Sequence, residues 1–204
     1  MESAESLFEE IGRAGLLLSN DWLIRQNNEL DKKTNHIYKC RWLKELEEFA
    51  RRLNLTSDES AYALHRWRNF KRHDAWQSLL FEQVPSIRLE LDPFNKKQDF
   101  FILTDSGDIP FDLKVTRFPK AITEDISDAE LANWFYQNQS TQGRFHLANR
   151  FFVVGEPEDA LYDIELARRT ISGFATDMKK YRHFIKHPNG NVSRAVLLRQ
   201  HANH

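Results

Sequence analysis

The strongest constraint on this chain is the stretch 97–117, Lys-Gln-Asp-Phe-Phe-Ile-Leu-Thr-Asp-Ser-Gly-Asp-Ile-Pro-Phe-Asp-Leu-Lys-Val-Thr-Arg. It predicts two β-strands, 98–104 and 111–117, folded back through Asp-Ser-Gly-Asp, where Gly107 is free to take positive φ. The apolar runs 100–103 and 111–115 give both strands burial, yet Asp99, Asp112 and Lys114 interrupt them. Unpaired buried charge is costly, so the chain either pairs these groups or uses them. A loop centred on Ser106-Gly107 places Asp99 opposite Lys114 and Phe101 opposite Asp112. Residues facing each other across a ladder share a face, and faces alternate along a strand. Asp99, Asp112 and Lys114 are therefore expected to emerge together.

The elements around the hairpin follow from caps and periodicity. Residues 1–30 read as an amphipathic helical region, and 41–55 as a clearer helix with Trp42, Leu43, Leu46, Phe49 and Leu53 in a stripe. Thr56-Ser57-Asp58-Glu59 is a capping box and Pro85 a stop, which predicts a long helix over 57–83. On its inward side lie Ala63, Trp67, Phe70, Gln77 and Phe81, with Asp74 near the middle and Glu82 pointing away. Residues 87–91 alternate as a half-buried strand. Ser127-Asp128-Ala129-Glu130 opens a second capped helix running to about 148, whose inward stripe includes the polar Asn138 and Gln142. A buried strand covers 150–154, a further helix 160–186, a turn His187-Pro-Asn-Gly-Asn, and a last strand 193–199. The order from 57 to 154 is helix, strand, strand, strand, helix, strand. That is an α/β (α+β) fold, a mixed sheet flanked by helices.

At 204 residues the chain accommodates a core domain, residues 56–204, and an N-terminal helical extension, residues 1–55. Its 41% hydrophobic and 29% charged content is that of an ordinary globular chain, and fifteen Phe with five Trp fill a substantial core. Cys40 is the single cysteine, which excludes an intrachain disulfide and a cysteine-built metal site. The Leu16-Leu17-Leu18 run is too short to span a bilayer and no signal peptide is visible, so a cytoplasmic protein with no membrane partner is expected. Net charge is −1, but the segment from Leu166 onward carries Arg168, Arg169, Lys179, Lys180, Arg182, Lys186, Arg194 and Arg199 against Asp177. Such a segment suits an anionic partner or a solvated helix face equally.

An acid on the second strand and Asp-x-Lys on the third, in this element order, resemble the PD-(D/E)XK nuclease superfamily, the restriction-endonuclease-like fold with its αβββαβ core. The resemblance covers 57–154, and Gln98 stands where the motif has proline. Two other Asp-x-Lys spacings, Asp31 to Lys33 and Asp177 to Lys179, lie off the predicted buried strands. The resemblance implies a metal-dependent endonuclease of restriction, defence or repair type, with Asp99 and Asp112 binding Mg2+ (or Mn2+) and Lys114 positioning the attacking water. It implies a third metal ligand on the preceding helix, with Asp74 the first candidate and Glu82 the alternative. Asn138, Gln142, Arg144 and Thr116 are the candidate substrate contacts. The implied partner is DNA, with RNA and a homodimer left open. The alternative is a catalytically inactive binding or assembly module, its acids and lysine forming an ion-pair network across the hairpin.

Overall fold

The computed structural model describes residues 2–18, 28–92, 98–123, 125–138 and 148–201. The chain divides into two compact units, Met1–Ala75 and Trp76–His204. The division falls inside a helix, not at its start, because the first part of that helix belongs to the core of the first unit.

The first unit is helical. It contains α1 (Ala4–Leu16), α2 (Asn28–Lys33), α3 (Leu43–Arg52) and the first part of α4 (Ser57–Gln83). Its core gathers Ala14, Ile37, Cys40 and Leu46 with Ala63, Leu64 and Trp67 of α4. The buried Trp67 indole satisfies its N–H on the Cys40 carbonyl at 2.8 Å. Trp42 provides no side-chain cap for α3. The Glu10 carboxylate of α1 does so, accepting from the Leu43 N–H at 2.7 Å. The capping box at α4 forms as its sequence demands: Thr56 Oγ1 accepts from Glu59 N–H at 3.3 Å, and Glu59 Oε2 from Thr56 N–H at 2.9 Å.

The second unit begins with the end of α4 and holds a six-stranded mixed sheet. Its strands are β1 (Ile87–Leu89), β2 (Phe100–Ile102), β3 (Ile109–Arg117), β4 (Arg150–Glu156), β5 (Arg182–Lys186) and β6 (Val192–His201), in the spatial order β1-β2-β3-β4-β6-β5. The first three form an antiparallel meander, β4 runs parallel to β3, β6 parallel to β4, and β5 antiparallel to β6. α5 (Asp128–Asn138) lies between β3 and β4 in sequence, and α6 (Ile164–Thr176) follows β4.

Strand parity sorts the core into two layers. Phe100, Phe111 and Phe151 share one face and meet Phe81 of α4 and Phe174 of α6 at ring separations of 5.2–6.4 Å. Phe152, Val154, Ala195 and Leu197 share the other and pack against Leu131, Ala132, Phe135 and Tyr136 of α5. Burial of this many large aromatics dominates the favourable side of folding, at about 25 cal/mol per Å2 of apolar surface.

Two elements depart from the sequence expectation. The helix expected over 160–186 ends at Thr176, and 182–186 is a strand paired antiparallel with β6. The turn between them closes with Gly190 N–H on the His187 carbonyl at 2.9 Å, and Gly190 takes φ +83°. Within α4 the buried residues include Ala63, Leu64, Trp67 and Lys71, then Trp76, Leu79 and Leu80, while Phe70 is exposed. The inward side is thus rotated from the expected one, which leaves Asp74 at its margin.

Candidate functional site

The hairpin keeps the expected parity and changes register. Phe100 pairs with Phe111, Phe101 with Pro110 and Ile102 with Ile109. Asp99 lies one residue before this ladder, whose register no longer leads to a pairing with Lys114. The reason is the turn. Gly107 N–H bonds to the Thr104 carbonyl at 3.0 Å and the Thr104 hydroxyl donates to the Gly107 carbonyl at 2.7 Å, so the turn is centred on Asp105-Ser106, one position earlier than expected. Gly107 does take positive φ, +117°, but as its fourth residue. Because the displacement is two residues in pairing, the parity of the paired strands is preserved, and Asp112 and Lys114 share a face of β3.

On that face, Lys114 Nζ lies 2.8 Å from Asp112 Oδ1 and 2.8 Å from Oδ2. The Asp112 side chain is 14% exposed and that of Lys114 40%. Asp99 accepts the Leu113 N–H on Oδ2 at 2.7 Å, satisfying a main-chain donor beyond the end of β2. Its own N–H donates to the Phe111 carbonyl and its carbonyl accepts from Glu90 N–H, so residue 99 joins β1, β2 and β3. Burial pushes the Asp112 carboxyl above its ordinary value; Lys114 pulls it down, Asp99 pushes it up and Arg150 pulls it down. The two acids and the lysine are therefore one electrostatic group.

Arg150 completes it and was not anticipated from sequence. It sits beside Asp112 in the β3–β4 register, is 3% exposed, and holds Nε 3.9 Å from Asp112 Oδ2. Its guanidinium lies 5.3 Å from the centre of the Tyr136 ring. The Tyr136 hydroxyl donates to the Ala148 carbonyl at 2.8 Å, and burial pushes the phenol above its ordinary value. The signal in the sequence was an arginine opening an otherwise apolar strand.

The remaining candidates divide. Thr116 is half-buried on β3 with the same parity as Asp112 and Lys114. Asn138 is exposed at the end of α5 and its amide donates back to the Trp134 carbonyl at 2.9 Å, a helix-end bond. Gln142 and Arg144 lie outside the described residues. Asp74 belongs to the first unit, where its half-exposed carboxylate bonds Lys71 Nζ at 3.1 Å. Its expected inward position is therefore corrected: Lys71, one turn on from Trp67, holds the buried side. Glu82 is exposed near the end of α4, as its helical phase predicts.

Asp99 and Asp112 offer hard carboxylate oxygens on adjacent strands, the donor type magnesium and manganese prefer. Burial and the neighbouring Asp99 raise the Asp112 carboxyl, so a cation beside these oxygens would favour its charged form. Among the described residues there is no cluster of three or more His, Cys, Asp or Glu, so further ligands would be main-chain carbonyls, water or substrate oxygens. No helix is long and apolar enough to cross a membrane among the described residues. The chain matches no protein-family profile, no curated protein and no solved structure.

Proposed function

We propose that this protein is a divalent-metal-dependent nuclease of the restriction-endonuclease-like type, hydrolysing phosphodiester bonds in DNA. The observation that carries the reading is the Asp112–Lys114 pair, 2.8 Å apart on the third strand of a helix–strand–strand–strand–helix–strand run, with the Asp99 carboxylate acting on Asp112. Asp99 and Asp112 would hold magnesium or manganese. Bound there, the ion would lower the pKa of a coordinated water and offset charge on the scissile phosphate.

The chain's own residues supply the rest. Lys114 carries three N–H donors on a partly exposed stem, so its ammonium is within reach of solvent and can orient a water. Asp99, fixed by the Leu113 N–H, holds one oxygen in place before anything binds. Arg150 steadies Asp112 from the buried side, while Thr116 extends the same strand face toward substrate.

A second reading has its own support. Asp99 and Asp112 are matched in number by Lys114 and Arg150, so the cluster balances its charge without an ion. That favours an inactive nucleic-acid-binding or assembly module using the group as an internal ion pair. The two readings separate in a plasmid assay with Mg2+, with Mn2+ and with chelator. Metal-dependent nicking supports the nuclease, and intact plasmid and linear DNA under all three conditions sink it.

A further inference from the structure

The basic C-terminal segment resolves into groups with different fates. Arg168 pairs with Glu165 at 2.7 Å, and Arg199 with Glu156 at 3.1 Å and Asp128 at 3.6 Å. Arg182, Lys186 and Arg194 make no ion pair among the described residues. Register brings these three together. Phe184 pairs with Arg194, and Lys186 with Val192, so Arg182, Phe184 and Lys186 on β5 and Val192 and Arg194 on β6 occupy one face. Val196 shares that face and pairs with Phe151, whose layer is the one opposite Asp112 and Lys114.

Phe184 is 68% exposed, a large aromatic at the open edge of the sheet with cations on three sides. Arg182 and Lys186 are four residues apart, about 13 Å along the strand, with the ring midway. Arg182, Phe184 and Arg194 also line a recess of about 160 Å3, together with His183 and with Thr104, Ser106 and Ile109 of the β2–β3 hairpin. The main chain here is held: Arg194 N–H bonds Asn149 Oδ1 at 2.8 Å, and Arg194 O accepts from the Tyr136 hydroxyl at 3.3 Å. Hairpin charge is partly withdrawn, since Asp108 is paired with Arg88 at 2.7 Å.

We propose that this face of the β5–β6 hairpin binds single-stranded nucleic acid, with a base stacked on Phe184 and flanking phosphates on Arg182, Lys186 and Arg194. A stacking aromatic between cations on an open sheet face is the composition such strands require, because every base offers a π-face and every linkage a charge. An acidic peptide would use the cations and leave the ring idle; a duplex keeps its bases out of reach of it. The surface stands apart from the Asp112 cluster and needs no metal, so absence of cleavage would sink the nuclease reading and leave this one standing.

The test is fluorescence anisotropy with a labelled mixed-sequence single-stranded oligonucleotide, and its duplex, in chelator across a salt series. Arg182→Gln with Arg194→Gln is expected to weaken single-strand binding about tenfold or more and to reduce the salt slope by about 1.4. Phe184→Ala is expected to cost about tenfold on the single strand with the salt slope unchanged and the duplex little affected. Lys179→Gln, in the same basic segment but off this face, is expected to bind as wild type. Equal binding by the arginine pair and wild type overturns the proposal. So does equal loss on single strand and duplex, with Phe184→Ala silent. A Phe184→Ala variant that changes oligomeric state and leaves oligonucleotide affinity intact assigns the face to a second copy of the chain and also overturns it.

Discussion

Lys114 Nζ stands 2.8 Å from each oxygen of the Asp112 carboxylate, a two-point grip formed between residues i and i+2 of one strand. A lysine half in solvent has other places to be, so the grip reflects the negative charge concentrated by Asp99 and Asp112 on that face. The same grip makes the cluster's chemistry testable residue by residue.

Lys114→Ala and Asp112→Asn are each expected to lower metal-dependent plasmid nicking at least 100-fold while leaving the far-UV circular dichroism spectrum unchanged. Neither side chain supports the core, since Lys114 is 40% exposed and Asp112 packs beside charge rather than apolar surface. Cleavage at wild-type rates by either variant would remove the site from consideration.

Asp99 carries a structural duty that separates from any catalytic one. Asp99→Ala strips the partner from the Leu113 N–H and is expected to cost about 1–3 kcal/mol in urea unfolding. Asp99→Asn retains an acceptor oxygen and is expected to recover most of that stability while losing metal binding. Equal stability of both variants with wild type would show that the 2.7 Å bond contributes little.

Metal binding itself should be visible without turnover. Mg2+ or Mn2+ is expected to raise the melting temperature of wild type, by an increment growing with the logarithm of ion concentration once the site fills. In Asp99→Asn combined with Asp112→Asn the increment is expected to vanish. An identical upward shift in the double variant would place the ion elsewhere.

The pH dependence of stability follows from Asp112. Its carboxyl is raised above the ordinary 3.8 when folded, mainly by burial, so the folded chain holds this proton more tightly than the unfolded chain does. The group's favourable contribution is complete below 3.8 and is lost as pH climbs through the raised value. Relative to Asp112→Asn, wild type should therefore lose stability as pH rises above 3.8, read as the difference between two urea titrations. A difference that is flat, or that grows in favour of wild type, contradicts the buried-acid account.

Local chemistry was legible where it is local. The capping boxes at Thr56 and Ser127 fixed two helix starts, because their reciprocal bonds involve four residues and no distant partner. Strand parity across the hairpin is as expected for the paired residues, since a turn of even length preserves faces whichever pair lies at its centre. Register did not survive, because the Thr104 hydroxyl competes for the Gly107 carbonyl and shifts the turn by one. Strand β5 was read as helix because its apolar residues are few, and its identity comes from pairing with β6 across the Gly190 turn. Arg150 was passed over for a related reason: parallel strands are aligned by contacts distant in sequence, so no local pattern sets it beside Asp112. Asp74 shows the limit of an ideal helical wheel, whose fixed phase cannot follow a buried side that rotates along α4.

Asn149 has a position whose effect reaches across the sheet. Its main-chain carbonyl accepts from Asp112 N–H at 3.0 Å, its amide nitrogen donates to the Pro110 carbonyl at 3.0 Å, and its amide oxygen accepts from Arg194 N–H at 2.8 Å. One residue thus clasps β3 on one side and β6 on the other, at the threshold of the strand between them. Asn149→Ala would remove both side-chain bonds and leave only the main-chain bond to Asp112. The entry to β4 is thereby a shared anchor, where one asparagine sets the spacing of three neighbouring strands.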